Sequence, residues 1–392
     1  MTTQNRKIRM GMIGGGLDAF IGAVHRNAAA LDQEIELVCG AFSSDPEKSR
    51  KTGESLYLNP SRTYDSWEEM IIKEKELPAH ERMDFVAIVT PNHLHFGPAK
   101  LALEQGFHVM SDKPLCYSLD EALELKRLVD ESGLLFGLTH TYSGYPMIKE
   151  GKQRVIQGEI GRVRKIYVEY PQGWLSQNIE SEGQKQASWR TDPARSGKSG
   201  CMGDIGTHAA HLAEYVSGLE ITELCADLII VVEGRALDDD GAVFLKFNNG
   251  ASGVLTATQI ATGEENNVKL RVYGEKGGLE WNHADANSLL IKRSNGTSEV
   301  LRTGAGSAHL SDAANMNTRL PAGHPEGYIE AFANIYRNFA IAIKAKMKGE
   351  KAAPFEIYDY PGVNEGVRGM RFIDKVVASS EKGSKWVDFG DG

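Results

Sequence analysis

Along the first third of the chain, short apolar runs alternate with amphipathic stretches of helical period. Lys7–Ile13 runs into a cluster of glycines, Ile35–Ala41 follows, and Phe85–Val89 is apolar at every position. A strand covered on both faces has no polar side to show, so an unbroken run of this length predicts a parallel strand between layers of helix. Phe107–Met110 and Leu134–Leu138 complete the set. Between the runs, the spacing predicts helices through Ala28–Leu31, over His95–Gln105 with Gly106 as the stop, and over Leu119–Val129. Strands alternating with helices make a doubly wound parallel sheet of the Rossmann type.

The pattern changes near Val163. Val163–Tyr170, Glu223–Val232, Gly241–Phe247, Gly253–Gln259 and Lys269–Tyr273 are β-rich, and the last of these alternates polar with apolar residues. That period predicts antiparallel strands with one solvated face. Helices over Tyr328–Lys348 and Gly362–Ser380 close the chain. The expected fold class is therefore α/β: a Rossmann domain over residues 1–140, then an α+β domain over 141–392 with a large open, mostly antiparallel sheet. The helix near 362–380 is a candidate to pack back on the first domain. A length of 392 residues suits two domains.

Composition narrows the classes of function. With 41% hydrophobic and 25% charged residues the chain is ordinary for a soluble globular protein. A net charge of −9 argues against nucleic acid or an anionic membrane as the main partner. The apolar runs fall far short of the roughly 20 residues needed to span a bilayer. Met1–Asn5 leads into the first strand with no apolar signal segment, so a cytoplasmic location is expected. Cys39, Cys116, Cys201 and Cys225 include no C-x-x-C pair, which indicates reduced thiols and neither a zinc site nor a redox pair. No metal is expected; Asp238-Asp239-Asp240 lacks the other ligands of a calcium loop and reads as a hairpin turn.

Gly14-Gly15-Gly16-Leu17-Asp18-Ala19 fits G-x-G-x-x-A, follows a strand and opens a helix. Glycines there permit a tight turn and let backbone N–H groups approach a pyrophosphate, so a dinucleotide is expected at Gly14, Gly16, Leu17 and Ala19. After the second strand, NAD enzymes usually carry an acid for the ribose hydroxyls. This chain has Phe42-Ser43-Ser44-Asp45 instead. Ser43, Ser44, Lys48 and Arg50 suit a 2′-phosphate; equally, the serines suit a plain ribose, with Asp45 capping a helix that starts at Pro46. NAD is the favoured cofactor and NADP the alternative. Thr90-Pro91-Asn92-His93-Leu94-His95 lies at the carboxyl end of a parallel strand, where such sheets bind ligands, which makes Thr90, Pro91, Asn92 and His95 candidate cofactor contacts. Asp112-Lys113-Pro114 follows the next strand, and Gly203-Asp204-Ile205-Gly206-Thr207-His208 opens an apparent helix in the second domain.

In this order the segments resemble the Gfo/Idh/MocA family, the glucose–fructose oxidoreductase and inositol dehydrogenase superfamily, over essentially the whole chain. Asp112-Lys113-Pro114 is similar to the family's E-K-P signature with Asp for Glu, and Asp204-x-x-x-His208 to its D-x-x-x-H. Phe20–Arg26, Tyr170–Trp174 and Ala187–Arg195 resemble the branch with scyllo-inositol and L-glucose dehydrogenases. The resemblance implies hydride transfer between nicotinamide and a secondary hydroxyl of a cyclitol or pyranose. Lys113, beside Asp112 and before an often cis proline, would stabilise the developing alkoxide at the nicotinamide. His208 would be the base, since an imidazole titrates near the working pH. Asp204, on the same helix face four residues earlier, would orient the sugar or hold the imidazole.

Substrate contacts are expected from His140 and Tyr142 past the last Rossmann strand, from the flat faces of Trp174 and Trp189, and from Thr207. His211 stands where many inositol dehydrogenases carry Asp, and is either a substrate contact or a core histidine. Lys185, Arg190, Arg195 and Lys198 form either a solvated loop or a site for an acidic sugar. The alternative reaction is that of glycosidases in the same superfamily, which retain NAD, oxidise C3 transiently and eliminate the aglycone, on an acidic glycoside such as a sulfoquinovoside. A non-catalytic nucleotide-binding regulator is disfavoured by the intact Lys113, Asp204 and His208. The family pairs through open sheet faces, so a homodimer or homotetramer is expected, with the His324 loop a candidate to reach a neighbouring site.

Overall fold

The computed structural model describes residues 6–17, 19–350 and 354–390; Met1–Asn5 and Asp18 of the glycine loop lie outside the described residues. The chain forms two compact units. The first holds the residues through Gly144 together with Tyr328–Val367, and the second holds Tyr145–Gly327 and the residues from Arg368 onward. The helix Val363–Glu381 thus begins in the first unit and ends in the second.

Among the described residues the first unit has five strands: β1 (Ile8–Gly14), β2 (Ile35–Ala41), β3 (Phe85–Val89), β4 (His108–Ser111) and β5 (Phe136–Leu138). They pair in parallel in the order β2-β1-β3-β4-β5, the doubly wound sheet the apolar runs predict. Every residue of β3 is buried, which is why that run is unbroken. Side-chain caps start the helices: Ser66 accepts from the Glu69 amide and Ser118 from the Glu121 amide. Helix Tyr328–Lys348 sets Phe332, Tyr336, Phe339 and Ile343 into a core with Phe85, Ala87, Val24 and Ala28. Phe339 meets Phe85 edge-on at 5.4 Å between ring centroids. Burying each such side chain contributes about 1.5–3 kcal/mol.

The second unit has nine strands among the described residues. They are β6 (Val163–Pro171), β7 (Ile221–Ile229), β8 (Asp240–Phe247), β9 (Ser252–Thr258), β10 (Lys269–Gly274), β11 (Gly277–Asn282), β12 (Ser288–Arg293), β13 (Ser298–Arg302) and β14 (Val387–Asp388). The order is β13-β12-β11-β10-β6-β9-β8-β7-β14, antiparallel throughout except for the parallel pair β6/β9. Strand β8 shows the predicted alternation: Gly241, Val243, Leu245 and Phe247 are buried while Ala242, Phe244 and Lys246 are exposed. Helices Pro146–Ile156 and Thr207–Ser217 cover one face.

The segment carrying Asp204 and His208 departs from the plain helix expected. Met202–Gly206 is a π-helical turn that leads into the α-helix Thr207–Ser217. Side chains compete there for backbone groups: Ser199 Oγ accepts from the Gly203 amide at 2.9 Å, and the Thr207 hydroxyl donates to the Gly203 carbonyl at 3.1 Å. Turns of this kind cluster at functional sites. No helix among the described residues is long and apolar enough to cross a membrane.

Candidate active site

In the first unit the glycine loop is shaped by main-chain crowding. Gly14 and Gly15 adopt φ of 78° and 68°, the left-handed region that glycine enters without cost. A Cβ at Gly14 would stand 2.5 Å from the Val89 carbonyl oxygen, and one at Gly22 only 2.4 Å from Gly15 Cα. The helix Phe20–Leu31 is therefore seated directly on the loop. Arg26 reaches back along the helix and donates from Nη1 to the Gly15 carbonyl at 2.6 Å. Among the described residues no side chain caps the helix start at Ala19, and such a start suits an anion such as a pyrophosphate. Leu17 is exposed beside it. These features fit a dinucleotide.

At the end of β2, Ser43 Oγ accepts from the Asp45 amide at 3.1 Å, and Ser44 is exposed. Asp45 caps the helix Pro46–Ser55 through the amides of Glu47 at 2.9 Å and Lys48 at 3.4 Å. Lys48 is exposed on that first turn, and Arg50 is paired with Asp65 at 2.6 Å. At the end of β3, the Thr90 hydroxyl donates to the Leu94 carbonyl at 3.2 Å, Pro91 is half-buried and Asn92 is buried. His95 lies beneath, with Nε2 2.7 Å from the Thr90 carbonyl and Nδ1 2.8 Å from the Pro114 carbonyl. Each ring nitrogen thus lies beside a backbone carbonyl, and the one N–H of the neutral ring donates to one of them, so His95 sits between two loops. Burial pushes its pKa down.

The Lys113–Pro114 peptide is cis. Asp112 Oδ1 accepts from the Lys113 amide at 2.9 Å and from the Thr139 hydroxyl at 2.7 Å. Its Oδ2 lies 3.8 Å from His25 Nε2, and His25 Nδ1 meets the Tyr336 hydroxyl at 2.7 Å. Burial opposes ionisation of Asp112, yet His25, Lys113 and Thr139 together hold its carboxyl well below the usual carboxylate range. His140 and Tyr142 are buried after β5. Sequence reasoning missed His25, Arg26 and Tyr336 as individuals, although the first two stand in the branch-like stretch Phe20–Arg26.

In the second unit the Asp204 carboxylate accepts from Arg190 Nε at 3.2 Å and from Gln259 Nε2 at 2.9 Å, both on Oδ2. The Arg190 guanidinium lies 4.2 Å from the Trp189 ring and 5.8 Å from that of Trp174. Neutral groups continue outward: Trp174 Nε1 donates to Gln172 Oε1 at 3.0 Å, and Asn266 Oδ1 accepts from Gln172 at 2.6 Å and from Tyr170 at 2.7 Å. His208 stands in the first turn of its helix, largely buried, with its ring 6.3 Å from that of Tyr170. Thr207 is buried, and the His211 ring packs against Tyr215 at 5.6 Å.

Of the cationic residues before Asp204, Arg190 serves Asp204, Lys198 pairs with Asp374 at 2.8 Å, Arg195 is half-buried and Lys185 is exposed; His324 sits on a separate exposed loop. Gln172, Gln259 and Asn266 were missed as site residues. Gln172 stands in the branch-like stretch Tyr170–Trp174, whereas Gln259 and Asn266, 55 and 94 positions from their partners Asp204 and Gln172, carry no local signal.

Residues 8–140 match the model of an oxidoreductase family with an NAD-binding Rossmann fold, and residues 148–280 match the GFO/IDH/MocA C-terminal domain. The chain belongs to the Gfo/Idh/MocA family. As a member it is an NAD-dependent oxidoreductase of the dehydrogenase type. The crystal structure of an oxidoreductase from Sinorhizobium meliloti is 46% identical with a TM-score of 0.88, covering 98% of this chain and 100% of that one. An inositol dehydrogenase homologue from Azotobacter vinelandii, solved with NADH and myo-inositol, is 33% identical with a TM-score of 0.90 and 98% coverage of both chains. The uncharacterised oxidoreductase YfiI of Bacillus subtilis is 33% identical over 98% of both sequences.

Proposed function

We propose that this Gfo/Idh/MocA protein oxidises a secondary hydroxyl of a neutral cyclitol or pyranose, using Lys113, Asp204 and His208. The carrying observation is the cluster on Asp204: a carboxylate held by Arg190 and Gln259, flanked by Gln172, Asn266 and the faces of Trp174 and Trp189. Alternating donors and acceptors beside flat apolar rings suit a ring that carries many hydroxyls. Arg190 and Lys198 already face carboxylates, which favours a neutral sugar over a sulfonated or carboxylated one. The Azotobacter homologue with bound myo-inositol supports the cyclitol class.

Bound NAD supplies the hydride acceptor at its nicotinamide, and the Gly14–Gly16 loop and the start of helix Phe20–Leu31 would hold its pyrophosphate. His208 takes the proton of the reacting hydroxyl, and the Lys113 ammonium stabilises the alkoxide that forms. Asp204, pinned on one oxygen by Arg190 and Gln259, accepts from a neighbouring hydroxyl and fixes which carbon reacts.

The test is steady-state absorbance of NADH with myo-inositol, scyllo-inositol, glucose and a sulfonated glycoside, with NAD+ and NADP+ in parallel. Turnover of a neutral polyol with NAD+ is the expected result. Lys113→Ala and His208→Ala should each lose at least about a hundredfold in kcat while retaining NAD+ affinity by calorimetry. Aglycone release from the sulfonated glycoside without net NADH, or near-normal turnover in either variant, would overturn the reading.

A further inference from the structure

Asp238–Asp240 does not form the hairpin turn expected of it: the turn of the β7–β8 connection lies near Val232–Arg235, and Asp240 opens β8. Asp238 is buried, and its two carboxylate oxygens accept from the Gly200 and Met202 amides, each at 2.9 Å. Its own carbonyl accepts from the Cys201 amide at 2.8 Å. Three consecutive N–H groups that would otherwise be orphaned at the start of the Asp204 turn therefore end on one residue. The fit is close, since a Cβ on Gly200 would lie 2.4 Å from the Asp238 carbonyl oxygen. The next link is direct: the Asp204 amide donates to the Gly200 carbonyl at 2.9 Å.

Asp239 anchors the other side. Its carboxylate accepts from the Val231 amide at 2.8 Å, the Val232 amide at 2.9 Å and Arg235 at 3.1 Å, while Arg235 also pairs with Glu180 at 2.8 Å. The carbonyl of Asp239 accepts from the Gln259 amide at 2.9 Å. Gln259 is the residue whose side chain donates to Asp204. Two adjacent buried aspartates thus fix both the main chain beneath Asp204 and one of the donors on its carboxylate.

We propose that Asp238 is a positioning residue, which with Asp239 sets the Asp204–His208 segment through the amides of Gly200, Cys201 and Met202. This rests on the reading that Asp204 and His208 serve the reaction. A charged acceptor at this place is stronger than a neutral one and lies on the positive end of the helix that follows. Asparagine keeps the shape but turns one oxygen into a donor, so that two donors face each other where a bond was made.

The test uses the full-length protein with NAD+ and myo-inositol, comparing Asp238→Asn, Asp204→Asn and the double variant, with hydrogen–deuterium exchange of the peptide spanning 199–208. Asp238→Asn is expected to lower kcat roughly ten- to a hundredfold, leave NAD+ affinity within about twofold and speed exchange in that peptide. The double variant should be no slower than Asp204→Asn alone, as residues acting as one unit are not additive. Gly200→Ala disturbs the same anchor from the opposite side and should reproduce the kcat loss should Asp238→Asn fold poorly. Wild-type kcat and exchange in Asp238→Asn, or losses that multiply in the double variant, overturn the proposal. Should Asp204→Asn retain wild-type kcat, the functional reading fails and this inference with it; an impaired Asp204→Asn beside an unimpaired Asp238→Asn sinks the positioning role alone.

Discussion

Gly22→Ala sets two effects of opposite sign against each other. Gly22 is the third residue of helix Phe20–Leu31, where alanine ordinarily gains about 1 kcal/mol over glycine. Here the new Cβ would stand 2.4 Å from Gly15 Cα and 2.5 Å from the Gly15 carbonyl oxygen. Carbon atoms rest at about 3.5–4.0 Å, so helix and loop would have to part by roughly 1 Å, and no flexible side chain is present to yield. Overpacking of this kind costs about 1–3 kcal/mol, which outweighs the helical gain. The displaced partner is the loop itself, held at φ 68° and tied by Arg26, so the cost falls on NAD+ binding. At about 1.4 kcal/mol per tenfold, the expected loss is roughly five- to a hundredfold in Kd. Calorimetric titration with NAD+ measures it. The control is Gly97→Ala in helix Phe96–Glu104, where the Cβ would meet the Trp67 ring at an ordinary 3.5 Å. That variant should gain about 0.5–1 kcal/mol in stability and bind NAD+ normally. Wild-type NAD+ affinity in Gly22→Ala, with a melting temperature no lower than wild type, would refute the reasoning.

The first unit should also weaken in mild acid. His108 Nδ1 accepts from the Leu135 amide at 3.0 Å, and burial together with Lys346 pushes its pKa down from 6.5 to about 4. The fold therefore prefers the neutral ring: this stability is complete above pH 6.5 and falls as the pH drops towards 4, by about 3 kcal/mol at about 1.36 kcal/mol per unit. Urea midpoints across that range should fall more steeply for wild type than for His108→Gln, and parallel curves would contradict the assignment. Arg190→Met removes a charged donor from Asp204 and is expected to raise KM for a neutral polyol about tenfold or more, with a smaller change in kcat. Unchanged steady-state constants would show that Arg190 is not part of the binding cluster.

The strands were legible because burial writes a period into the sequence. Phe85–Val89 has no polar residue because both faces of β3 are covered, and β8 alternates because one face is. The glycine loop was legible for a related reason: Gly14 and Gly15 occupy backbone angles that other residues resist, so the constraint is local. The helix Tyr328–Lys348 was expected, but nothing near it in the chain said that Phe332, Tyr336, Phe339 and Ile343 on it cover the sheet of the first unit. Polar pairings were less visible still. His25 and Tyr336 are 311 positions apart, and Arg190, Gln259 and Asp238 reach the Asp204 turn from separate elements. A single histidine, glutamine or aspartate has no periodicity, and its partner depends on where the folded backbone carries it. The sequence by itself pointed to the five strands of the Rossmann sheet and to five of the nine in the second sheet, to a glycine loop suited to a dinucleotide, and to which lysine, aspartate and histidine to examine; β11–β14 went unread. Only the tertiary structure decided what holds them: a π-turn instead of a plain helix, Arg190 on Asp204, and Asp238 beneath both.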